Sequence, residues 1–338
     1  MDTFTHVVTG AVIARAIDDE KIGKWGTLAG LVTAAFPDAD FVLGLLNRQF
    51  YLQYHRDFTH SILLIPFYGL FFSWVFVKVS RLPHFWSFYK TCLSVLISHV
   101  LLDLLTSYGT MIFSPFFDDR FAWDLVFIID LIFSGMVILP WLASLFLKRG
   151  AQWVCRGSLA GLAAYILFCW FQHGQALGEV REFSKGLKGR VIQMAALPQP
   201  VSPFRWALYV ETEDKVFQGF VDLRRKEFPE SAAHKKSFFN RLSNLHDPSK
   251  SISFQAMEKI QNSIWVEKAL ATEGIKFYYW FARFPVVKSV NSRDGRHRVE
   301  FMDVRFYLPG IRLPFVYFVE FDDSGQIQSE GFAEDQRR

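Results

Sequence analysis

The chain has 338 residues, of which 51% are hydrophobic and only 21% are charged. Its mean hydropathy of +0.16 is too high for an ordinary soluble protein, and the composition predicts a membrane-embedded part joined to a soluble part. The net charge of +4 is modest, and no stripe of Lys and Arg alternates with aromatic residues, which argues against nucleic-acid binding. Cys92, Cys155 and Cys169 lie in apolar segments without CxxC spacing, so we expect neither disulfides nor thiolate zinc ligands.

Apolar segments with the length of helices dominate the first half of the chain. The longer ones approach the roughly 20 residues that span a bilayer. We therefore expect an α-helical integral membrane domain over residues 1–174, with about four to five apolar helices plus a short N-terminal helix. The predicted segments are 3–17 (the short helix), 25–46 (interrupted by PDAD), 61–77, 91–108, 125–147 and 157–171.

The character of the sequence changes after about residue 175. Turn residues appear, and alternation of apolar and polar residues replaces the long apolar runs, which is typical of strands. A basic segment at 234–246 could form an amphipathic helix, although a solvated face explains it as well. We expect a smaller α+β extramembrane domain over 175–338. The predicted strands are 205–212, 215–224, 276–284, 297–309 and 314–327, with turns at 291–297 and 322–326.

Lys and Arg are concentrated in alternate loops of the first half, which predicts the topology. The positive-inside rule places the loops around 78–90 and 148–156 in the cytoplasm. The loops at 47–60 and 109–124 then face outward, and an odd final crossing puts the C-terminal domain outside. We therefore expect a multi-pass protein of the plasma (inner) membrane with an extracytoplasmic C-terminal domain.

Ionisable residues inside the apolar segments are the strongest functional signal, because such groups are costly in hydrocarbon. His99 and Asp103 stand one helical turn apart in SHVLLDLLTSYGT and share a helix face. Each could be a satisfied interior residue, and the two could form a structural pair. Under the predicted topology the three histidines and Asp38, Asp40 and Asp103 lie at similar depth near the outer face, which favours a single metal site. Asp130 also lies in an apolar segment, but we interpret it as a structural residue and not as a primary ligand. The ionisable residues of these segments are His6, Asp38, Asp40, His60, His99, Asp103 and Asp130.

An ordered series of motifs resembles a known family. The motifs are FTHVVTG, FPDAD, HRDFTHS, SHVLLDLLTSYGT, SPFFDDRFAWDLVFIID and PQPVSPFRW. Together they resemble the YdjM-like family of membrane-bound metal-dependent hydrolases, and their ligand order is distantly similar to the zinc-dependent phospholipase C superfamily. The resemblance implies that Asp38, His60, His99 and Asp103 surround one divalent ion, with zinc the first choice. It also implies that His6 binds a second ion, bridged by Asp103.

The function that we predict is hydrolysis of an ester or phosphoester bond in an amphiphilic, lipid-type substrate by a metal-activated water. Asp40 is the candidate general base or an additional ligand. Arg56, together with His55, is expected to bind an anionic phosphoryl oxygen. The expected partners are membrane lipids and the amphiphilic substrate, and no nucleic acid is expected.

Two other classes of function stay open at this point. Intramembrane His and Asp residues also form the pathways of metal- or proton-coupled transporters, although here they cluster toward one face and no internal repeat is visible. The other class is a structural or regulatory membrane protein with a stabilising metal site. An open coordination position would favour the enzyme, and a closed shell of four ligands would favour the structural role.

Overall fold

The structure is a computed structural model, and it describes residues 1–17, 20–45, 47–147, 149–224, 252–308 and 314–333. Its contacts divide the chain into two compact units. The first, helical unit consists of Met1–Gly174 with Pro198–Pro203, and the second, sheet unit consists of Gln175–Leu197 with Phe204–Arg338. The possible amphipathic helix at 234–246 lies outside the described residues.

Helices build the first unit, as its apolar segments predict. The predicted helix at 3–17 is confirmed residue for residue. The segment with PDAD is interrupted as expected, because Pro37 opens a 3₁₀ helix, Pro37–Leu45. The helices are α1 (Thr3–Ile17), α2 (Gly23–Ala35), α3 (Arg48–Tyr54), α4 (Ile65–Ser80), α5 (Phe85–Leu104), α6 (Leu131–Phe146) and α7 (Ala151–Lys185).

Two of the described helices, α5 and α7, are long and apolar enough to cross a membrane. Two bent pairs raise the number of candidate spans to four if each pair is one span. They are α2 with the 3₁₀ helix Pro37–Leu45, bent by 44°, and residues 48–60 with α4, bent by 76°. The remaining apolar helices, α1 and α6, have only 15 and 16 residues. The described residues thus contain two to four candidate spans, and the expected four to five are not confirmed.

Two predicted segments change their bounds in the structure. α6 begins after Asp130, well past the predicted start at 125, because the Asp130 carboxylate caps it by accepting hydrogen bonds from the N–H groups of Ile132 and Phe133. α7 extends beyond both ends of 157–171. Its last turns continue into a more polar stretch, where Ala176 and Val180 are buried in a cluster with residues of the first sheet.

Two glycines let α1 and α2 approach each other closely. A Cβ atom added to Gly10 would lie 2.4 Å from the carbonyl oxygen of Gly30 and 2.6 Å from the Cβ of Ala34. A Cβ atom added to Gly30 would meet the carbonyl oxygen of Gly10 at the same distance. Any side chain at either position would force the helices apart. This packing therefore fixes the position of the C-terminal end of α2, which contacts the site described below.

Two four-stranded sheets form the second unit, and the pairings described within them are antiparallel. The predicted strand at 205–212 is confirmed residue for residue. The predicted turn at 291–297 is confirmed by the left-handed pair Asp294 and Gly295, which joins two strands. The elements are β1 (Val191–Pro198), β2 (Arg205–Thr212), β3 (Lys215–Asp222), β4 (Gln255–Glu258), α8 (Ile264–Leu270), α9 (Glu273–Phe281), β5 (Pro285–Arg293), β6 (Arg296–Asp303), β7 (Tyr317–Asp322) and β8 (Ile327–Phe332).

The predicted strand at 276–284 is wrong, because α9 occupies most of it. The helix begins with an N-cap, in which the Thr272 hydroxyl accepts a hydrogen bond from the Ile275 N–H at 3.3 Å. One side of the helix buries Ile275, Tyr278 and Phe281 at three-residue spacing. The aromatic run favours a strand locally. The cap and the spacing of the buried residues outweigh that preference.

Candidate metal centre

Four segments of the helical unit bring ionisable side chains together. Each segment is fixed by its own backbone structure, so the side chains meet only in the folded unit. The short 3₁₀ helix is important here, because it turns both of its aspartates into the interior. α1 carries His6, the 3₁₀ helix carries Asp38 and Asp40, the segment between α3 and α4 carries His55, Arg56 and His60, and α5 carries His99 and Asp103.

Asp38, His60, His99 and Asp103 form a compact group of potential metal ligands. Each offers one donor atom, and these atoms all lie within 4.8 Å of one another. The Nε2 atom of His60 lies 2.9 Å from Oδ2 of Asp103, and Nε2 of His99 lies 3.6 Å from Oδ1 of Asp38. All four side chains are buried. Two imidazoles and two carboxylates suit a divalent ion of the hard to borderline type, so the group could bind a metal.

The orphaned buried atoms of this group support the same conclusion. Nε2 of His60, Nε2 of His99, Oδ2 of Asp38 and Oδ2 of Asp103 have no hydrogen bond within the described part of the chain. The close pair, Nε2 of His60 and Oδ2 of Asp103, is not aligned as a hydrogen bond. Buried polar atoms without partners are destabilising, and a cation bound by the group would be a partner for both imidazole nitrogens and for Oδ2 of Asp103. The residues present therefore fit a divalent metal.

Hydrogen bonds at the far nitrogen orient both imidazole rings of the group. Nδ1 of His99 lies 2.9 Å from the carbonyl oxygen of Ala34, so Nδ1 carries the proton and donates it. Nδ1 of His60 lies 2.9 Å from the Thr59 hydroxyl, which itself donates to Asp40 at 3.2 Å. His60 must then donate from Nδ1 as well. Both rings therefore present the lone pair of Nε2 to the centre, as metal-binding histidines do.

Oδ1 of Asp103, the oxygen that is not orphaned, contacts three positively charged or polar groups. Nη2 of Arg56 lies 2.7 Å from Oδ1 of Asp103, and Nε2 of His6 lies 3.1 Å from the same atom. The amino group of Met1 contacts this oxygen too. The His6 ring stacks on His99 with 3.7 Å between centroids. His6 is not one of the four grouped donors, but it contacts Oδ1 of Asp103, the carboxylate that the resemblance describes as bridging.

Asp40 has a different environment from Asp38, although the two are neighbours in FPDAD. Its Oδ1 lies 2.7 Å from Nδ1 of His55, and its Oδ2 accepts from the Arg56 N–H at 3.0 Å and from the Thr59 hydroxyl. Asp40 thus lies beside the four donors rather than among them. Its carboxylate holds the His55 ring, which is 12% exposed, whereas the donor side chains are buried more deeply.

Arg56 is almost fully buried and has a left-handed backbone conformation, with φ of 63°. Besides the pair with Asp103, its Nη1 donates to the Thr106 hydroxyl at 3.1 Å, and its guanidinium lies 5.0 Å from the Tyr108 ring centroid. Nε has no hydrogen bond to any described residue. The guanidinium that we expected to bind an anionic oxygen is therefore anchored to a carboxylate, and its Nε–H has no hydrogen bond to a described residue.

The contacts of Asp130 agree with its interpretation as a structural residue, and Thr59 is an additional residue beside the donor group. Asp130 caps α6 and accepts a hydrogen bond from the Tyr165 hydroxyl at 2.8 Å, so it is a structural residue outside the donor group. Thr59 was missed by the sequence reasoning, although it connects Asp40 with His60. Its position directly before His60 in HRDFTHS is the signal that could have identified it.

Comparisons with known proteins cover more than half of the chain. An uncharacterized protein from Bacillus subtilis (strain 168), YfhP, is 28% identical over 238 residues, which cover 65% of this chain and 68% of that protein. No solved structure matches the chain significantly. A family model described as YdjM inner membrane protein matches residues 1–176, more than half of the chain and all of the residues around the candidate metal centre. The chain therefore belongs to the YdjM inner membrane protein family.

Proposed function

We propose that this chain is a membrane-embedded hydrolase that uses a divalent metal to cleave an ester or phosphoester bond of an amphiphilic substrate. The observation that carries the proposal is the pair of Asp40 and His55 beside the four donors, joined at 2.7 Å. The His55 ring centroid lies 6.2 Å from that of the ligand candidate His60. A purely structural metal site needs donors, but it does not need an oriented and partly exposed imidazole next to them.

The roles of the residues follow from these contacts. Asp38, His60, His99 and Asp103 would hold the divalent ion, which would supply a water acidic enough to become a nucleophile near neutral pH and would polarise the bond that is attacked. Asp40 accepts the Nδ1–H of His55, which leaves Nε2 of His55 available to accept a proton from the water and return it to the leaving group. Asp40 acts through His55 and is a positioning residue.

The nature of the substrate follows from charge and environment. Arg56 keeps a positive charge beside the donors, and its Nε–H is available for an anionic oxygen. A buried cation next to the reacting bond favours a phosphoester over a neutral ester. The site is built from apolar helices of an inner membrane protein family, which favours an amphiphilic molecule such as a lipid. Zinc is the ion that we expect first, since imidazole and carboxylate ligands suit it.

Metal content measured by elemental mass spectrometry on the detergent-purified chain tests the first half of the proposal. We expect one or two ions per chain in the wild type and loss of metal in His99→Ala and Asp103→Ala. His84→Ala is the matched control, because His84 lies at the start of the same helix and outside the donor group. Wild-type protein that stays free of metal after addition of zinc or manganese would overturn the proposal.

Hydrolysis of phospholipids and polyprenyl-type phosphoesters by the metal-loaded chain tests the second half. His55→Gln should keep its metal and lose turnover by about 10²–10⁴-fold, the usual contribution of a general base. A variant with unchanged turnover would remove His55 from the mechanism. If no phosphoester or ester is cleaved by the loaded wild type, the metal centre has another role.

A structural metal site is the second candidate, and a specific observation favours it. The four donors are enough to complete a tetrahedral shell, and His60 and Asp103 are completely buried. In that case the ion would only hold the helices together. The visible spectrum of the cobalt-loaded chain distinguishes the two roles. Added azide should change the spectrum of a site with an open position and leave that of a closed shell unchanged.

A further inference from the structure

The loop between α5 and α6 exposes a cluster of aromatic side chains. The most exposed are Phe116 at 75% and Phe117 at 61%, and three more large rings in the same loop are exposed to a lesser extent. Water-exposed patches of this kind are rare on soluble proteins and mark surfaces that bind something. The aromatic cluster consists of Phe113, Phe116, Phe117, Phe121 and Trp123.

The beginning of the loop is tied to the segment that carries Arg56 and His60. The N–H of Met111 donates to the carbonyl oxygen of Arg56 at 3.0 Å, and the N–H of Ile62 donates to the carbonyl oxygen of Ile112 at 3.0 Å. The loop and the segment between α3 and α4 therefore form one hydrogen-bonded piece. An interaction that holds the loop in place therefore also holds the segment that carries Arg56 and His60.

The end of the loop is tied to α5 in the same way. Phe121 and Thr110 exchange two backbone hydrogen bonds of 3.0 Å, which close the loop on itself. The N–H of Trp123 donates to the carbonyl oxygen of Leu104 at 2.7 Å, directly after the ligand candidate Asp103. The aromatic cluster is thus held at a defined position beside the metal centre.

The helix that follows the bonded segment, α4, has an apolar exposed face. Phe67, Phe71 and Trp74 are exposed on this helix, and in an inner membrane protein such a face meets lipid. Ile62, which leads into α4, is the residue bonded to the loop. The loop is therefore bonded to the start of the helix that carries this apolar face.

Charge divides the loop into two parts. Asp118 and Asp119 follow the most exposed phenylalanines directly, and both are exposed. An apolar part next to two carboxylates suits the boundary between acyl chains and headgroups, where aromatic residues of membrane proteins accumulate. A protein partner would not explain why the apolar and acidic parts of the loop are separated in this way.

We propose that the aromatic cluster is seated in the lipid bilayer, with Phe116 and Phe117 among the acyl chains and Asp118 and Asp119 at the headgroups. The partner is the bilayer itself. The loop then holds the metal centre at the depth of the headgroups, where the ester and phosphoester bonds of lipids lie. This seating does not depend on the proposed hydrolysis.

A fluorescent probe in the loop tests the proposal on the full chain in vesicles of phosphatidylcholine and phosphatidylglycerol. Phe117→Cys and the control Asp119→Cys are labelled with an NBD dye, and wild type treated in parallel measures labelling of the buried native cysteines. We expect a nitroxide on the lipid acyl chains to remove most of the emission at position 117 and little at 119. Iodide in the water should quench the probe at position 119 strongly and the probe at position 117 only weakly.

Two outcomes would overturn the proposal. Equal quenching of both probes by iodide would place the cluster in water, and a probe at 117 that neither quencher reaches would mean that protein, such as a second copy of this chain, covers it. A probe at Phe116→Cys should show the same quenching as the probe at Phe117→Cys. Agreement between the two shows that neither result comes from a local distortion of one variant. The metal content of the labelled chains is measured separately, so a failure here is distinguishable from a failure of the proposed function.

Discussion

Both units bury aspartates, but they satisfy them in opposite ways. In the sheet unit, Oδ1 of Asp303 accepts from the N–H groups of Phe284 and Arg305, and Oδ2 accepts from the Arg305 guanidinium at 2.7 Å. In the helical unit, Asp38 and Asp103 each keep a buried oxygen without a hydrogen bond to the described residues. Burial of a carboxylate is therefore no sign of a ligand site by itself. Orphaned oxygens that face orphaned imidazole nitrogens are such a sign.

The largest effect that this comparison predicts is that of Asp103→Asn. The substitution removes a donor and leaves Arg56 as a buried charge without its carboxylate. We expect loss of metal binding and a decrease in the free energy of unfolding of about 3–5 kcal/mol, as for other broken buried pairs. Metal titration and thermal unfolding in detergent measure the two effects.

Asp130→Asn is the matched control for that experiment. Asp130 is also an aspartate of the helical unit, but it caps α6, and asparagine caps helices about as well as aspartate does. Metal content should stay unchanged. Loss of metal in both variants to the same extent would contradict the distinction between the donor group and a structural carboxylate.

The next effect concerns the packing that supports the site. Gly10→Ala places a Cβ atom against the carbonyl oxygen of Gly30 and against Ala34, whose own carbonyl oxygen orients His99. We expect a loss of about 1–3 kcal/mol in the free energy of unfolding, as for other overpacked positions, together with weaker metal binding. Metal titration beside thermal unfolding checks both.

Gly135→Ala in α6 shows whether glycine replacement as such has any effect. A Cβ atom there meets no neighbour within 4 Å, so alanine should be neutral or stabilise the helix by up to about 1 kcal/mol. Metal affinity that is reduced equally by both substitutions would argue against a specific contact of α1 with α2.

Local patterns in the sequence predict a large part of this fold. The bounds of α1 and β2 follow from their composition, and the helical spacing of His99 and Asp103 places both on one face of α5. The break at Pro37 follows from the chemistry of proline. Each of these features depends on residues that are close together in the chain, and this is why a single sequence is enough to predict them.

Contacts between distant residues could not be predicted in this way. The carbonyl oxygen of Ala34 lies 65 positions from His99, and no residue pattern indicates that it orients the ring. The resemblance assigns Asp38 as a ligand and not Asp40, but nothing in the motif FPDAD indicates that Asp40 pairs with His55. The length of α7 was missed for the same reason, because its polar last turns are stabilised by packing in the sheet unit and not by apolar composition.

A smaller effect is expected at Thr59, which supports His60 from behind. Thr59→Val removes the hydroxyl that accepts from Nδ1 of His60 and donates to Asp40. Substitutions of such supporting groups typically cost 10–100-fold in metal affinity, so we expect a loss of about that size. Thr59→Ser keeps the hydroxyl and should restore most of the affinity in a competition titration with a chelator. Equal affinities of Thr59→Val and wild type would show that the His60 ring is held by other contacts.

The smallest effect lies in the sheet unit and depends on pH. Burial raises the pKa of Asp222, but hydrogen bonds from Arg224, at 2.6 Å, and from Arg205 outweigh it and hold the pKa below its ordinary value. A carboxyl whose pKa is lower in the folded state contributes stability above its unfolded pKa, and that stability is lost as the pH falls through the folded value. We expect Arg224→Gln to reduce this acid-dependent loss, by under about 1 kcal/mol because Arg224 is partly exposed.

Hydrogen exchange measured by mass spectrometry as a function of pH separates this effect from the metal centre. Protons compete with a metal for imidazole, so acid should release metal from α5 and loosen it at a higher pH than that at which β2 and β3 lose protection. Arg224→Gln should change only the β2 and β3 peptides. If α5 and β3 lose protection at the same pH in the metal-loaded wild type, a single cooperative transition controls both. The difference between Asp222, which is paired with arginine, and the carboxylates of the donor group would then not affect how the two units lose stability in acid.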